Sequence, residues 1–289
     1  MTEHALSVVR AGALTSVQDE GRHGHAHLGV PRSGALDLPA SRLANRLAGN
    51  AVGAAVLETT LDGCAVRPLR AVTLAVTGAP CAVTVDGRPA AWGAPVRAPS
   101  GALVEVGAAA RGVRSYLAIA GGIDVEPVLG SRSTDLLSGL GPALLKDGAV
   151  LPLGRPEQAC PYLDEAPAPG VPPELVLRVL PGPRADWFTA DTPSVLARGR
   201  YRVSSASNRI GLRSEGPALR RAVEDELPSE GLVLGAVQVP PDGHPVVFLA
   251  DHPTTGGYPV IGVVPESDLA GAAQAAPGTP LRFVLKRWA

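Results

Sequence analysis

The sequence predicts a mainly β protein with two β-rich parts and few short helices. Short apolar runs recur along the chain, as at residues 71–78 and 81–93, and glycine or proline separates them. Asp86-Gly87 lies inside the second run and is typical of a tight hairpin turn. Aromatic residues make up only 3% of the chain, so valine, leucine and alanine must fill the core. Many short strands at regular spacing favour sandwiches or barrels over a parallel sheet with helical crossovers.

The remaining strands and a proline-rich segment divide the chain. Further strands are predicted at residues 102–122 (two strands around a turn), 175–180, 201–205, 232–240, 244–250, 259–264 and 281–285. Residues 155–174 carry six prolines and little periodicity, which is typical of a linker with polyproline II character. We therefore predict an N-terminal β-rich domain at 1–156, a linker at 157–174 and a C-terminal domain at 175–289.

Two helices are predicted. The first spans residues 38–48, because Asp37 can cap it, Pro39 fits its first turn and Gly49 follows its end. Its apolar side chains recur at helical spacing, so one face should be buried. A second short helix is predicted near residues 267–275.

Composition and charge disfavour several classes of function. The formal net charge of −1 gives no electrostatic reason to bind nucleic acid or an anionic membrane. Only Lys146 and Lys286 are lysine, which disfavours Schiff-base chemistry, and Met1 is the only methionine, which excludes a biotin-carrying Met-Lys pair. No apolar run reaches the roughly 18 residues of a membrane helix, and the first residues lack the pattern of a signal peptide. The cysteines are far apart without a Cys-x-x-Cys pair, so the expected location is the reducing cytoplasm.

Several common nucleotide-binding and catalytic motifs are missing from the sequence. It contains no G-x-x-x-x-G-K-[ST] phosphate-binding loop, no G-x-G-x-x-G after a strand, no H-E-x-x-H and no G-x-S-x-G. An activity that uses ATP would therefore need a partner protein or an unusual site.

A polar, glycine-rich segment at residues 15–50 is the first candidate for chemistry. Gln18, Asp19 and Arg22 supply an amide, an acceptor and a fork-shaped cation. Such a set suits a polar substrate that carries a carboxylate and an amide or ureido group. The alternative is a structured loop whose polar groups satisfy buried backbone.

Three histidines alternate in the same segment. On a strand, His23, His25 and His27 would share one face and could hold a metal through ring nitrogens. A solvated polar strand edge explains the pattern more simply, and we predict no metal site.

Residues 205–219 form a second polar cluster. Asn208 and Arg209 precede a glycine and a short alternating run. A hairpin with an exposed ion pair is the alternative interpretation, and it would contribute little to stability.

A third cluster follows two predicted strands. Gln238 ends one strand and Asp251 the next, and Thr254, Thr255 and Tyr258 surround a Gly-Gly turn. Backbone amides in such a turn can cradle an anion, although a plain turn fits the pattern equally well.

Together these segments resemble one family over about residues 5–285. The family is known as biotin-dependent carboxyltransferase, as allophanate hydrolase subunit 2, or as the KipA-type C subunit of 5-oxoprolinase. Its opening signature is similar to TSVQDEGRHGHAHLGVPRSGALD…ANRLAGN. Its later signatures resemble, in the same order, YLAIAGGIDVEPVLGSRSTDL, SNRIGLRSEGPAL and GAVQVPPDGHPVVFLADHPTTGGYPVIGVV.

The resemblance implies a cyclophilin-like β-barrel as the C-terminal part. It also implies one component of an ATP-dependent 5-oxoprolinase, which opens 5-oxo-L-proline to L-glutamate together with a KipI-type and a LamB/YcsF-type partner, and which is inactive without them. Two alternatives stay open. One is a carboxyltransferase that moves a carboxyl group from biotin on a separate carrier to urea or a related amide, and the other is a non-catalytic antagonist of a KipI-type kinase inhibitor. ATP is thus expected in the complex, biotin only under the first alternative, and no covalently bound cofactor.

The family motifs also supply the candidate site. Asp19 and Asp251 are candidate bases or orienting acceptors, and Gln238 is a candidate amide partner in catalysis. The candidate substrate-binding residues are Gln18, Arg22, Asn45, Arg209, Thr254, Thr255 and Tyr258. Opening a lactam requires a site that holds a carboxylate, a ring amide and a developing oxyanion. Arg22 and Arg209 are the best carboxylate clamps, and we expect Arg209→Ala to abolish turnover while leaving the fold intact.

Overall fold

The computed structural model describes residues 5–156, 165–166 and 172–286, and the chain divides into two compact units. Unit 1 and unit 2 are each made of three segments. Unit 1 comprises Met1–Arg22, Ser33–Asp135 and Gly139–Val171. Unit 2 comprises His23–Arg32, Leu136–Ser138 and Pro172–Ala289. Two short segments from the first half of the chain therefore group with the second half, and most of the linker predicted at 157–174 lies outside the described residues.

Within the described residues, unit 1 holds eleven strands in two antiparallel sheets. They are β1 (Ala5–Arg10), β2 (Leu14–Gln18), β3 (Val56–Thr60), β4 (Cys64–Pro68), β5 (Val72–Gly78), β6 (Cys81–Val85), β7 (Arg88–Ala90), β8 (Val96–Ala98), β9 (Val104–Ala109), β10 (Arg114–Ile119) and β11 (Val150–Pro152). One sheet has the order β11-β1-β4-β9-β6-β7 and the other β2-β3-β10-β5-β8.

Strand β10 shows how both faces of the five-stranded sheet are covered. All six of its residues are buried. Leu117 and Ile119 join the core shared with the six-stranded sheet, while Tyr116 and Ala118 belong to a second apolar cluster on the opposite face. Successive side chains of a strand point to opposite faces, so a continuous buried run requires cover on both sides.

Helix α1 (Leu38–Ala48) provides that second cover, and the prediction for residues 38–48 is confirmed. The side chain of Asp37 accepts a hydrogen bond from the Ala40 N–H at 3.1 Å, which caps the first turn. Gly49 ends the helix with a φ of 81°, a conformation that glycine adopts without steric cost. The helix buries Leu47 and its neighbours against the sheet.

Within the described residues, unit 2 holds nine strands and two α-helices. The strands are β12 (Leu175–Pro181), β13 (Tyr201–Val203), β14 (Gly211–Glu215), β15 (Glu230–Gly231), β16 (Ala236–Gln238), β17 (Val246–Phe248), β18 (Thr255–Gly256), β19 (Val260–Val263) and β20 (Pro280–Leu285). Seven of them form a closed barrel with the order β12-β19-β16-β17-β14-β13-β20, and β15 and β18 form a separate ribbon. The helices are α2 (Thr192–Arg198) and α3 (Glu266–Gln274).

The barrel confirms the mainly β class and the prediction of a C-terminal barrel. Alternate residues of β12, namely Leu175, Leu177 and Val179, are buried. Successive side chains of a strand point to opposite faces, so this alternation shows that one face of β12 is covered. Helix α3 confirms the helix predicted near residues 267–275, whereas the short helix α2 was not predicted. No helix in the described ranges is long and apolar enough to cross a membrane.

Candidate functional site

Asp19 directly follows β2 and organises a distant loop of unit 1. Its Oδ1 accepts hydrogen bonds from the hydroxyls of Ser131 and Ser133, both at 2.6 Å, and from the Gly21 N–H at 2.8 Å. Its Oδ2 accepts from the Arg132 N–H at 2.6 Å. A carboxylate that accepts hydrogen bonds from four donors is held in one orientation. This geometry favours the orienting role predicted for Asp19 over the role of a base.

Arg22 is buried in unit 1, and only part of its guanidinium makes hydrogen bonds to the described residues. Its side chain is 1% exposed. Nη2 donates to the Ser133 carbonyl at 2.5 Å, and Nε lies 3.4 Å from the Val128 carbonyl. Nη1 is buried and has no hydrogen-bond partner among the described residues. Since a buried charge is costly unless it is paired, this nitrogen is available to a ligand that brings an acceptor.

Gln18 presents the complementary group. Its Nε2 donates to the Ser16 hydroxyl at 2.9 Å and to the Thr134 carbonyl at 3.0 Å. Its Oε1 is buried and has no donor within the part of the chain that the structure describes. Gln18 and Arg22 are therefore anchored on the carbonyls of two consecutive residues, Thr134 and Ser133. Each keeps one polar atom that has no partner among the described residues.

A glycine allows the loop to approach Arg22. Gly141 has a φ of +80°, and a Cβ there would lie 2.0 Å from the Ser133 carbonyl oxygen and 3.1 Å from Arg22 Nη2. Only glycine avoids both the strained conformation and the clash. The enclosure of Arg22 thus depends on this position.

Asn45 lies on α1, and its hydrogen bonds close the loop after that helix. Its Nδ2 donates to the Val52 and Ala54 carbonyls at 3.1 and 2.7 Å, and its Oδ1 accepts from Asn50 Nδ2 at 3.0 Å. Both amide hydrogens are engaged, so a substrate could meet only the second lone pair of Oδ1.

A buried cluster around Tyr116 was missed by the sequence analysis. The Tyr116 hydroxyl donates to Glu58 Oε2 at 2.9 Å and accepts from the Asp37 N–H at 2.7 Å. The same Glu58 oxygen accepts from the Leu36 N–H at 2.9 Å. Burial, reinforced by the charges of Glu58 and Asp37, raises the pKa of Tyr116 well above its usual value of 10.0. The cluster fixes the start of α1, and no sequence signal joins residues so far apart.

Arg209 and Asp251 form a buried ion pair in unit 2. The side chains are 1% and 0% exposed. Arg209 Nε donates to Asp251 Oδ2 at 2.9 Å and Nη2 donates to Oδ1 at 3.0 Å, a two-pronged arrangement. The Leu136 N–H also donates to Oδ2, at 3.1 Å. The edge of Arg209 that would clamp a substrate carboxylate is therefore occupied by the carboxylate of Asp251.

The remaining predicted residues of unit 2 lie on β16 and the loop around β18. Gln238 is buried, and its Nε2 donates to the Tyr258 carbonyl at 3.2 Å. Tyr258 is 44% exposed, and the Arg221 guanidinium lies 5.6 Å from its ring centroid, within cation–π range. Thr254 is half-buried and Thr255 is exposed. This loop can offer hydroxyl groups and an aromatic ring to a ligand.

His252 adjoins the buried ion pair, and the sequence analysis did not select it. The ring is 6% exposed, and its Nδ1 lies 2.7 Å from the Pro253 carbonyl oxygen. A carbonyl oxygen can only accept, so Nδ1 carries the hydrogen in the neutral ring. The signal that could have identified His252 is its place directly after Asp251, in the segment that follows β17.

The three alternating histidines do not lie on a strand. Ala26–Leu28 form a 3₁₀ helix that ends at Gly29, His25 directly precedes this helix, and His23 lies in a turn before it. The shared face that a strand would provide is therefore absent, which corrects that geometric premise. Among the described residues, no group of three or more histidine, cysteine, aspartate or glutamate side chains is placed to hold a metal ion.

Comparison with known proteins identifies the family. The model of the carboxyltransferase domain, subdomain A and B, matches residues 28–285. The chain belongs to this carboxyltransferase family. The resemblance seen in the four sequence segments is thus confirmed.

Members of the carboxyltransferase family resemble the chain in sequence and in structure. The C subunit of 5-oxoprolinase from Escherichia coli (strain K12) is 42% identical over 287 residues, which cover 96% of this chain and 90% of that protein. The crystal structure of TTHA0988 has a TM-score of 0.86 at 38% identity, with 97% of this chain and 56% of that chain covered. The K. lactis urea amidolyase structure has a TM-score of 0.89 at 31% identity and covers 99% of this chain. The chain spans only 19% of that urea amidolyase and little more than half of TTHA0988.

Proposed function

We propose that the chain is the C subunit of an ATP-dependent 5-oxoprolinase, which opens 5-oxo-L-proline to L-glutamate. The observation that carries this proposal is the 42% identity to the C subunit of a 5-oxoprolinase over nearly the full length of both chains. The proposed partners are a KipI-type protein and a LamB/YcsF-type protein. The chain is expected to be inactive without them, because the sequence holds no common ATP-binding motif.

The unused polar atoms of unit 1 support a lactam substrate. In 5-oxoproline the ring nitrogen, which carries the N–H, is bonded directly to the carbon atom that carries the carboxylate. Gln18 Oε1 needs a donor and Arg22 Nη1 needs an acceptor, and both side chains are anchored on consecutive carbonyls. We assign the ring N–H to Gln18 and the carboxylate to Arg22. Because both atoms are enclosed, binding requires the loop at Gly141 to move.

The reaction adds water to the lactam carbonyl carbon, breaks the C–N bond and returns a proton to the nitrogen. Amide resonance resists this attack, and coupling to ATP hydrolysis supplies the driving force in the complex. Within this scheme Asp19 is a positioning residue, since its carboxylate holds the loop that anchors Arg22. Asn45 supports the turn after α1 and offers one remaining lone pair to the substrate.

The residues of unit 2 receive corresponding roles. Asp251 orients Arg209, and the buried pair fixes the loop that begins at Asp251. Gln238 holds the Tyr258 carbonyl, and the exposed Thr255 and Tyr258 contact the substrate or a partner protein. Thr254 offers its hydroxyl in the same loop.

Reconstitution tests this function directly. The purified chain is combined with its KipI-type and LamB/YcsF-type partners, 5-oxoproline and ATP, and glutamate is measured. Glutamate should form only when all three proteins and ATP are present. A complex of three folded proteins that makes no glutamate from 5-oxoproline and ATP would contradict the proposal.

A carboxyltransferase activity is the second candidate. The family model is that of a carboxyltransferase domain, and the chain superposes on a urea amidolyase with a TM-score of 0.89. In this case the chain would take the carboxyl group from biotin on a separate carrier, and urea or a related amide would receive it. Incubation with a carboxylated biotin carrier and urea distinguishes the two, because only this activity consumes the carboxyl group of the carrier.

A further inference from the structure

A cavity of about 580 Å³ opens at the end of the five-stranded sheet of unit 1. Its wall includes Val72 and Thr73 of β5, Ala98 of β8, Ala48 at the end of α1, and Pro156. This volume is in the range of small-molecule sites. None of the residues assigned to catalysis or substrate binding lines it.

Among the described residues that line this cavity, the charge is of one sign. Arg70 and Arg97 are the charged residues of its lining. Within the described ranges neither arginine is paired with a carboxylate, whereas other arginines, such as Arg132 and Arg184, are. A concave surface whose described lining holds two cations and no carboxylate attracts anions, because low-dielectric walls focus the electric field.

Arg70 is held ready for a ligand. Its Nη2 donates to the Ala120 carbonyl at 3.0 Å and to the Gly154 carbonyl at 2.8 Å, which fixes the guanidinium plane. Its Nε is buried without a partner among the described residues. Burial lowers the pKa of Arg70, so the surroundings disfavour its positive charge. A bound anion would offset that cost.

We propose that this cavity binds a small organic anion with an apolar body and one carboxylate or phosphate group. Arg70 and Arg97 hold the anionic group, since a guanidinium donates two parallel hydrogen bonds to such oxygens. The apolar body lies against the alanine, valine and proline side chains of the wall, and Thr73 contributes a hydroxyl. This site is separate from the residues of the proposed 5-oxoprolinase activity.

Titration calorimetry of the purified chain tests the site, with butyrate, butyl phosphate and inorganic phosphate as probes at constant ionic strength. We expect saturable binding of butyrate or butyl phosphate with a dissociation constant of about 1 mM or lower. The preferred probe shows which anionic group the site takes. The neutral isostere butyramide should not bind, because it lacks the charge.

Three variants separate this site from non-specific charge effects. Arg70→Gln and Arg97→Gln should each weaken binding at least about tenfold, the loss expected for a charge-assisted hydrogen bond. Arg88→Gln, at an exposed arginine on β7 outside the cavity, should bind as the unaltered chain does. Arg97 is exposed, so its variant keeps the fold even where Arg70→Gln does not. Absence of saturable binding to every probe, or equal affinity of Arg97→Gln and the unaltered chain, would overturn the proposal.

Discussion

Replacing Arg209 with alanine should strongly destabilise unit 2. Arg209 and Asp251 are 1% and 0% exposed, and two hydrogen bonds of 2.9 and 3.0 Å join them. The variant removes the guanidinium that pairs with the buried Asp251 carboxylate. Removing one partner of such a pair typically costs about 3–5 kcal/mol. This burial revises the expectation that Arg209→Ala leaves the fold intact.

The free energy of unfolding is measured by urea denaturation followed by circular dichroism. Arg282 and Glu174 provide a matched control, since they also form an arginine–carboxylate pair in unit 2, at 3.0 Å, but are 48% and 41% exposed. Arg282→Ala should cost less than about 1 kcal/mol, because solvent screens the pair.

A double variant separates the buried charge from the lost packing. Arg209→Met combined with Asp251→Leu removes both charges and keeps apolar volume, so it should recover most of the lost stability. The reasoning fails if Arg209→Ala costs no more than Arg282→Ala, or if the double variant is as unstable as the single one.

Three further predictions concern unit 1. Arg22→Met should lower kcat/KM for glutamate formation by the reconstituted three-protein complex at least about hundredfold. The free energy of unfolding should change by no more than about 1 kcal/mol, because removing a buried charge whose Nη1 has no partner among the described residues offsets the lost hydrogen bond to the Ser133 carbonyl. Near-normal turnover would remove Arg22 from the site. Tyr116→Phe should lower the free energy of unfolding, measured by urea denaturation, by about 1–3 kcal/mol, because the Asp37 N–H and Glu58 Oε2 lose their shared partner. A smaller decrease would show that water replaces the hydroxyl. Burial raises the pKa of Cys64 to about 12 from an ordinary value of 9.0, so its neutral thiol stabilises the fold fully below 9.0 and that contribution is lost as the pH rises toward 12. As the pH rises above 9.0, the urea concentration at the midpoint of unfolding should therefore fall more steeply for the unaltered chain than for Cys64→Ala. The same pH dependence in both proteins would contradict this assignment.

Local signals explain which elements could be predicted from the sequence. The cap of α1 uses Asp37 and the N–H of Ala40, three residues away, so its pattern is visible in a short window. The Asp86-Gly87 hairpin is equally local, and both residues have positive φ, 50° and 73°. Helix α2 has only seven residues, too few for an apolar period to stand out.

The candidate site could be predicted as a set of residues but not as a set of contacts. The family signatures select Asp19 and Asp251. Nothing in them shows that Asp19 accepts from four donors or that Asp251 is paired with Arg209, because three of those donors lie more than a hundred residues from Asp19 and Arg209 lies 42 residues from Asp251. His252 was missed for the same reason, since its burial depends on distant neighbours.

The sequence by itself determined the mainly β class, the ends of α1, the family and the residue types that could grip a lactam. The alternation of a strand, the caps of a helix and the residues of a turn each involve only a few neighbouring positions, so they can be recognised in the sequence without a structure. Only the tertiary structure decided which polar atoms have a hydrogen-bond partner and which have none within the described part of the chain, as at Gln18 Oε1 and Arg22 Nη1. The physical reason is that desolvation and hydrogen bonding of a buried group depend on segments brought together by folding.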